Sequence, residues 1–173
     1  TLGGGVINEV FFDDVRIPAE NLIGELNRGF HQSMKSLDLE RSAMDRIGAA
    51  RRALDDLSKY IHQSGTAPDG GRLADVHAVQ EKMAELYSQA QVSRTFGYLI
   101  ARHLDAGTGA SNEFSYGKLY IGLLSQAIAN AAVDMIGTRA LFEYGSELAV
   151  NDGLLTALYR ASPALTLAGG SSE

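Results

Sequence analysis

Residues 112–142 read NEFSYGKLYIGLLSQAIANAAVDMIGTRALF, and this stretch decides the architecture. Tyr116, Leu119, Ile121, Leu123, Leu124, Ile128, Ala131, Ala132, Val133 and Ile136 fall around most of a helical circumference rather than along one stripe. A helix that is apolar on all sides is buried on several of them. Residues 112–142 therefore predict the central helix of a bundle, or a helix in a subunit interface.

The neighbouring segments read as the helices that surround it. Residues 29–63 carry a stripe of Phe30, Met34, Leu37, Met44, Ile47, Leu54 and Ile61, spaced in threes, fours and their sums. Ser64 to Gly71, rich in Gly and Pro, breaks the pattern. A second helix over 73–104 shows Val76, Val79, Met83, Leu86, Tyr87, Phe96, Leu99 and Ile100, and Ser111 is placed to cap the third. A short helix follows around 154–160, stopped by Pro163. Helices of about 30 residues span roughly 45 Å, which suits an antiparallel bundle. The predicted fold is all-α, an up-and-down helical bundle. Val6 to Phe12 is the one β-branched and aromatic run, and it reads as a strand left over from a preceding domain. Residues 1–24 are thus expected to be the end of a β domain and its linker, and 25–173 the bundle. Both ends read as cuts in a longer chain, the Gly169–Gly170 loop leading toward a further helix.

Composition narrows the function. With no cysteine, thiolate metal sites and disulfides are excluded, and a cytoplasmic address is compatible. A formal net charge of −6 speaks against a nucleic-acid binder, which needs a basic face. No unbroken apolar run reaches the ~18–20 residues of a membrane span, so none is expected. The four histidines, at 31, 62, 77 and 103, are scattered and suggest no metal site.

One residue interrupts the first stripe. Glu40 follows Leu37 by three positions and precedes Met44 by four, which places it on the inward face. Such a carboxylate is paired with another helix, solvated through a cavity, or held as a base. The loop Gly169-Gly170-Ser171-Ser172 is either a simple turn or a set of backbone N–H groups offered to an anion or a polarised carbonyl.

Three segments resemble the acyl-CoA dehydrogenase family. Phe11 to Gly24 followed by Gly29-Phe30 is similar to the junction between the family's middle and C-terminal domains. Leu37-Asp38-Leu39-Glu40-Arg41 is similar to part of the first C-terminal helix, and Ala164 to Glu173 to the loop before the last one. The resemblance implies oxidation of an acyl-CoA thioester to the trans-2-enoyl-CoA with FAD, with an electron-transfer flavoprotein or similar acceptor. Most members carry the base in a Tyr-Glu-Gly sequence, which here reads Ala168-Gly169-Gly170. The isovaleryl- and long-chain-type members instead use a Glu in Leu-Asp-x-Glu-Arg, the position of Glu40. The resemblance further implies a backbone donor at Gly169, acyl-CoA contacts at Asp38, Leu39 and Arg41, and flavin contacts at Gly170, Ser171, Ser172 and Glu173.

The family's two loops for a neighbour's FAD, Arg-x-x-Phe-Gly and Gln-x-x-Gly-Gly-x-Gly, fall on Thr66, Asp69 and Gly70, and on Asp134, Gly137, Thr138 and Ala140. The Arg, Phe, Gln and two glycines are lost, and an Asp repels a pyrophosphate. The resemblance therefore implies a hetero-oligomer in which this chain bears the base and a paralogous subunit supplies the cradle, as in bacterial enzymes acting on steroid-like CoA esters. A scaffold subunit without catalysis, a flavin-free assembly bundle, and an acyl-CoA oxidase or flavin monooxygenase stand as alternatives.

Overall fold

The computed structural model describes residues 8–40, 42, 44–108 and 111–172, without the side chains of Asp38 and Ser111. Five helices form: α1 (Gly29–Glu40), α2 (Met44–Gln63), α3 (His77–Asp105), α4 (Ser111–Ile136) and α5 (Leu154–Ala161). Short 3-10 turns at Gly137–Leu141, Val150–Gly153 and Ser162–Thr166 join and follow the last two.

The core lies where α2, α3, α4 and α5 meet. Leu54, Leu57 and Ile61 from α2 pack with Met83 and Leu86 of α3, with Ile121, Leu124 and Ile128 of α4, and with Leu155 of α5. α4 touches all four other helices and the 3-10 turns Gly137–Leu141 and Ser162–Thr166. Its small residues permit this. A Cβ on Gly117 would lie 3.1 Å from Ile100 Cδ1, and one on Gly122 would lie 3.2 Å from the Leu165 carbonyl oxygen. By length and composition alone Asn112–Leu141 would pass for a membrane-crossing helix, with an 18-residue window of mean hydropathy 1.4, contrary to the expectation from unbroken runs. The packing explains that apolarity, because this is the helix the others cover.

The predicted first helix is divided. α1 ends at Glu40, and the Ser42 N–H donates to the Leu39 carbonyl at 3.1 Å, three residues back rather than four. This tightened closure ends the α-helical ladder. The two halves then differ in burial: Leu54 and Ile61 are in the core, whereas Phe30 (73% exposed), Met34, Leu37 (44%) and Met44 lie open. Among the described residues no strand forms. Asn8 to Phe12 is exposed, because a strand needs an edge to pair with and these residues offer it none.

The connections show why the helices stop where they do. α3 closes with Gly107 at φ +64°, its N–H on Leu104 and the Thr108 N–H on His103, the two bonds of a Schellman turn. Between α2 and α3, Gly65 accepts from Leu73 while Thr66 bridges Arg72, making a tight hairpin. Where α2 faces α3, the Tyr87 hydroxyl donates to Asp55 Oδ1 at 2.9 Å, and Arg51 lies 5.1 Å over the Tyr87 ring. Burial, first of several causes, pushes the Tyr87 phenol above its ordinary value. Truncating Leu54 to Ala, at a fully buried position, is expected to lower unfolding stability by about 2–5 kcal/mol in a urea titration.

Candidate functional site

The structure gathers the C-terminal half of the expected site and holds it on α4. After the 3-10 turn Ser162–Thr166, the main chain folds back on itself: Leu167 and Ala168 donate to the Ala164 carbonyl at 3.1 and 2.9 Å. Gly169 (φ +74°) and Gly170 (φ +108°) then take left-handed conformations that a side chain would oppose. The Gly170 N–H donates to the Leu167 carbonyl at 3.2 Å, so it is used within the turn. The Ser172 hydroxyl donates to the Thr166 carbonyl at 3.1 Å.

The sequence reading missed the residue that anchors this turn. Lys118 of α4 is only 5% exposed, and its ammonium donates to the Thr166 carbonyl at 3.2 Å and to the Gly170 carbonyl. Gly122 lies one turn further along the same face of α4 and allows the Ser162–Thr166 turn its close approach. The glycine four residues after Lys118, marking a close approach on that face, was the available signal.

The other half of the site is less enclosed than the sequence implied. Glu40 is the last residue of α1 and is exposed, as is Leu39. The inference of an inward Glu40 is thereby corrected for this chain. Helical spacing fixed which residues share its face, but Phe30 and Leu37 on that face are themselves uncovered. Asp38 lies in α1; Arg41 and Glu173 fall outside the described residues. Both α1 and the Ser162–Thr166 turn pack on α4, so the two halves share one support.

At the far end of α4 the two expected nucleotide loops flank one groove of about 490 Å³, with Pro68, Leu73, Val76 and Val79 on one side and Ala131, Asp134 and Met135 on the other. These loops do not fit the diphosphate of a neighbour's FAD. Asp69 Oδ1 accepts from the Gly71 N–H at 2.9 Å, occupying a main-chain donor, and Asp134 adds a second negative charge. Of the second loop only Gly137 keeps a left-handed conformation (φ +73°), and Ala140 is buried. The glycine turn does suit the flavin end, since it presents main chain without side chains beside Ser171 and Ser172. Arg160, given no role from sequence, pairs with Glu143.

Residues 27–173 match the family described as acyl-CoA dehydrogenase, C-terminal domain. The chain belongs to the acyl-CoA dehydrogenase family. It is 30% identical over 162 residues to the caffeyl-CoA reductase-Etf complex subunit CarC of Acetobacterium woodii, covering 92% of this chain and 42% of that one. Its structure is similar to an acyl-CoA dehydrogenase from Geobacillus kaustophilus, with TM-score 0.78 and 27% identity over 94% of this chain and 40% of that one. It is also similar to the ChsE4-ChsE5 complex from Mycobacterium tuberculosis, with TM-score 0.76 and 25% identity over 94% of this chain and 41% of that one. The chain thus spans about two-fifths of the length of these relatives.

Gly122→Ala is expected to push the Ser162–Thr166 turn off α4, because the nearest atom is backbone and cannot rotate away. A loss of about 1–3 kcal/mol, with faster amide exchange at 166–170 than elsewhere, is the expected result of hydrogen exchange on this variant.

Proposed function

We propose that this chain is the C-terminal part of a flavin-dependent acyl-CoA dehydrogenase in which Glu40 removes the α proton of the thioester. One observation carries the reading: of the two positions from which the family draws its base, Gly169 has no side chain and Glu40 is a carboxylate within Leu37-Asp38-Leu39-Glu40-Arg41.

The chemistry asks for two things. The proton beside a thioester is weakly acidic, so the base must work away from water, and the oxygen of the developing enolate must meet a fixed donor. Glu40 stands on α1 among Leu37, Leu39 and Met44, all left bare by this chain. An open apolar stripe around a carboxylate is what a chain two-fifths as long as its relatives would leave for the rest of the protein and the acyl group to cover. Exclusion of water disfavours the charged form of any carboxylate and so favours proton uptake. The Gly169 main chain serves as the enolate donor, and Asp38, Leu39 and Arg41 contact the acyl-CoA. Bound FAD, with its flavin end at Gly170, Ser171, Ser172 and Glu173, supplies the acceptor for the hydride that leaves the β carbon.

The assembly is heteromeric in this reading. The mismatch of Asp69 and Asp134 with a diphosphate supports a paralogous subunit that supplies the adenine cradle. The similarity to a complex subunit and to a two-component structure supports the same division, and the first also supports an electron-transfer flavoprotein as acceptor. Residues 1–24 belong to the tail of the preceding β domain, and the protein is cytoplasmic.

Glu40→Gln in the full-length protein with its partner is expected to lower the rate of flavin bleaching by acyl-CoA roughly 10²–10⁴-fold while flavin content stays unchanged. A variant that keeps most of its rate would remove Glu40 from the base role. Expressed without a paralogue, the protein is expected to purify with far less than one FAD per chain, and co-expression with the paralogue should restore it. Stoichiometric FAD in the single-chain preparation would contradict the divided cradle.

A further inference from the structure

Lys118 is the one buried cation of the described core, and nothing in the chemistry above uses it. A lysine is seldom buried unless its ammonium is paired, because removing that charge from water is unfavourable. Its partners include two main-chain carbonyls, those of Thr166 and Gly170. These carbonyls bracket Leu167, Ala168 and Gly169, so the ammonium clamps both ends of the short segment that carries Gly169.

We propose that Lys118 is a positioning residue for the reaction: by holding the Thr166 and Gly170 carbonyls from within α4, it sets the direction of the Gly169 main chain that meets the enolate oxygen. The proposal rests on the reading of Gly169 given above. The segment it holds is costly to order. Gly169 and Gly170 have no side chains to pack, and glycine loses more conformational freedom on ordering than any other residue. Ser172 ties the Thr166 end. Without Lys118, the Gly170 carbonyl loses the charged donor that reaches it from α4, while the Gly170 N–H keeps its local bond to Leu167. A charged donor also forms stronger hydrogen bonds than a neutral one, which suits an element that must keep its geometry while charge develops next to it. Displacement of a catalytic donor by about 1 Å can cost 10²-fold in rate.

The test uses Lys118→Met and Lys118→Gln in the full-length, flavin-loaded protein with its partner. Leu57→Ala, a core cavity variant on α2, serves as a control for lost stability. Stopped-flow bleaching of the flavin gives the limiting rate and the half-saturating acyl-CoA concentration separately. Amide exchange of the flavin-free chain reads residues 167–171. Lys118→Met is expected to lose about 10²-fold in limiting rate with half-saturation within about threefold, and to exchange faster at 167–171. Lys118→Gln, which keeps a neutral donor, is expected to lose about tenfold. Leu57→Ala should keep the limiting rate. A limiting rate in both Lys118 variants equal to that of Leu57→Ala, a loss confined to half-saturation, or unchanged exchange at 167–171 would each overturn the proposal. If Glu40→Gln keeps its rate while Lys118→Met loses it, the base assignment falls and the positioning role stands.

Discussion

Close packing on α4 is the constraint from which the rest of the molecule follows. Most helical stability in a folded protein comes from burying a face against a neighbour rather than from intrinsic propensity. α4 offers such a face in several directions. Ile121, Leu124 and Ile128 fill the space between α2 and α3, while Gly117 and Gly122 give up side chains where Ile100 and the Leu165 carbonyl come closest. Large residues in some directions and none in others let one helix support four partners. The same device brings the glycine turn to its place, because Gly122 admits the turn and Lys118 then binds it.

The two halves of the proposed site are therefore built differently. The C-terminal half is a main-chain construction, with carbonyls collected by a buried ammonium and two glycines free to adopt left-handed angles. Main-chain donors need no rotamer to be fixed, so their accuracy depends on what holds the backbone. The α1 half is a side-chain construction on a helix end. The apolar residues beside its carboxylate are the ones this chain leaves uncovered.

The helices were legible because hydrophobic period is a local property: the segments at 29–63, 73–104 and 112–142 all became helical over most of their length. The break after Glu40 was not legible, since the stripe continues in register from Leu37 to Met44 and spacing alone cannot show a tightened turn at Ser42. The same limit explains the misplacement of Glu40. Periodicity tells which residues share a face, and whether that face is covered depends on what packs there. Lys118 escaped notice because a single lysine in an apolar helix reads as its solvent-facing position. Its burial depends on a turn 48 residues away in sequence.

The central claim is that a carboxylate at the end of α1 abstracts a proton from the carbon next to a thioester. The most direct measurement is an experimental structure of the full-length protein with its partner, FAD and a bound acyl-CoA. The account predicts the Glu40 carboxylate within about 3–3.5 Å of the α carbon, shielded from bulk water, with the thioester oxygen toward Gly169. A Glu40 side chain in open solvent, or turned away from the thioester, would contradict it.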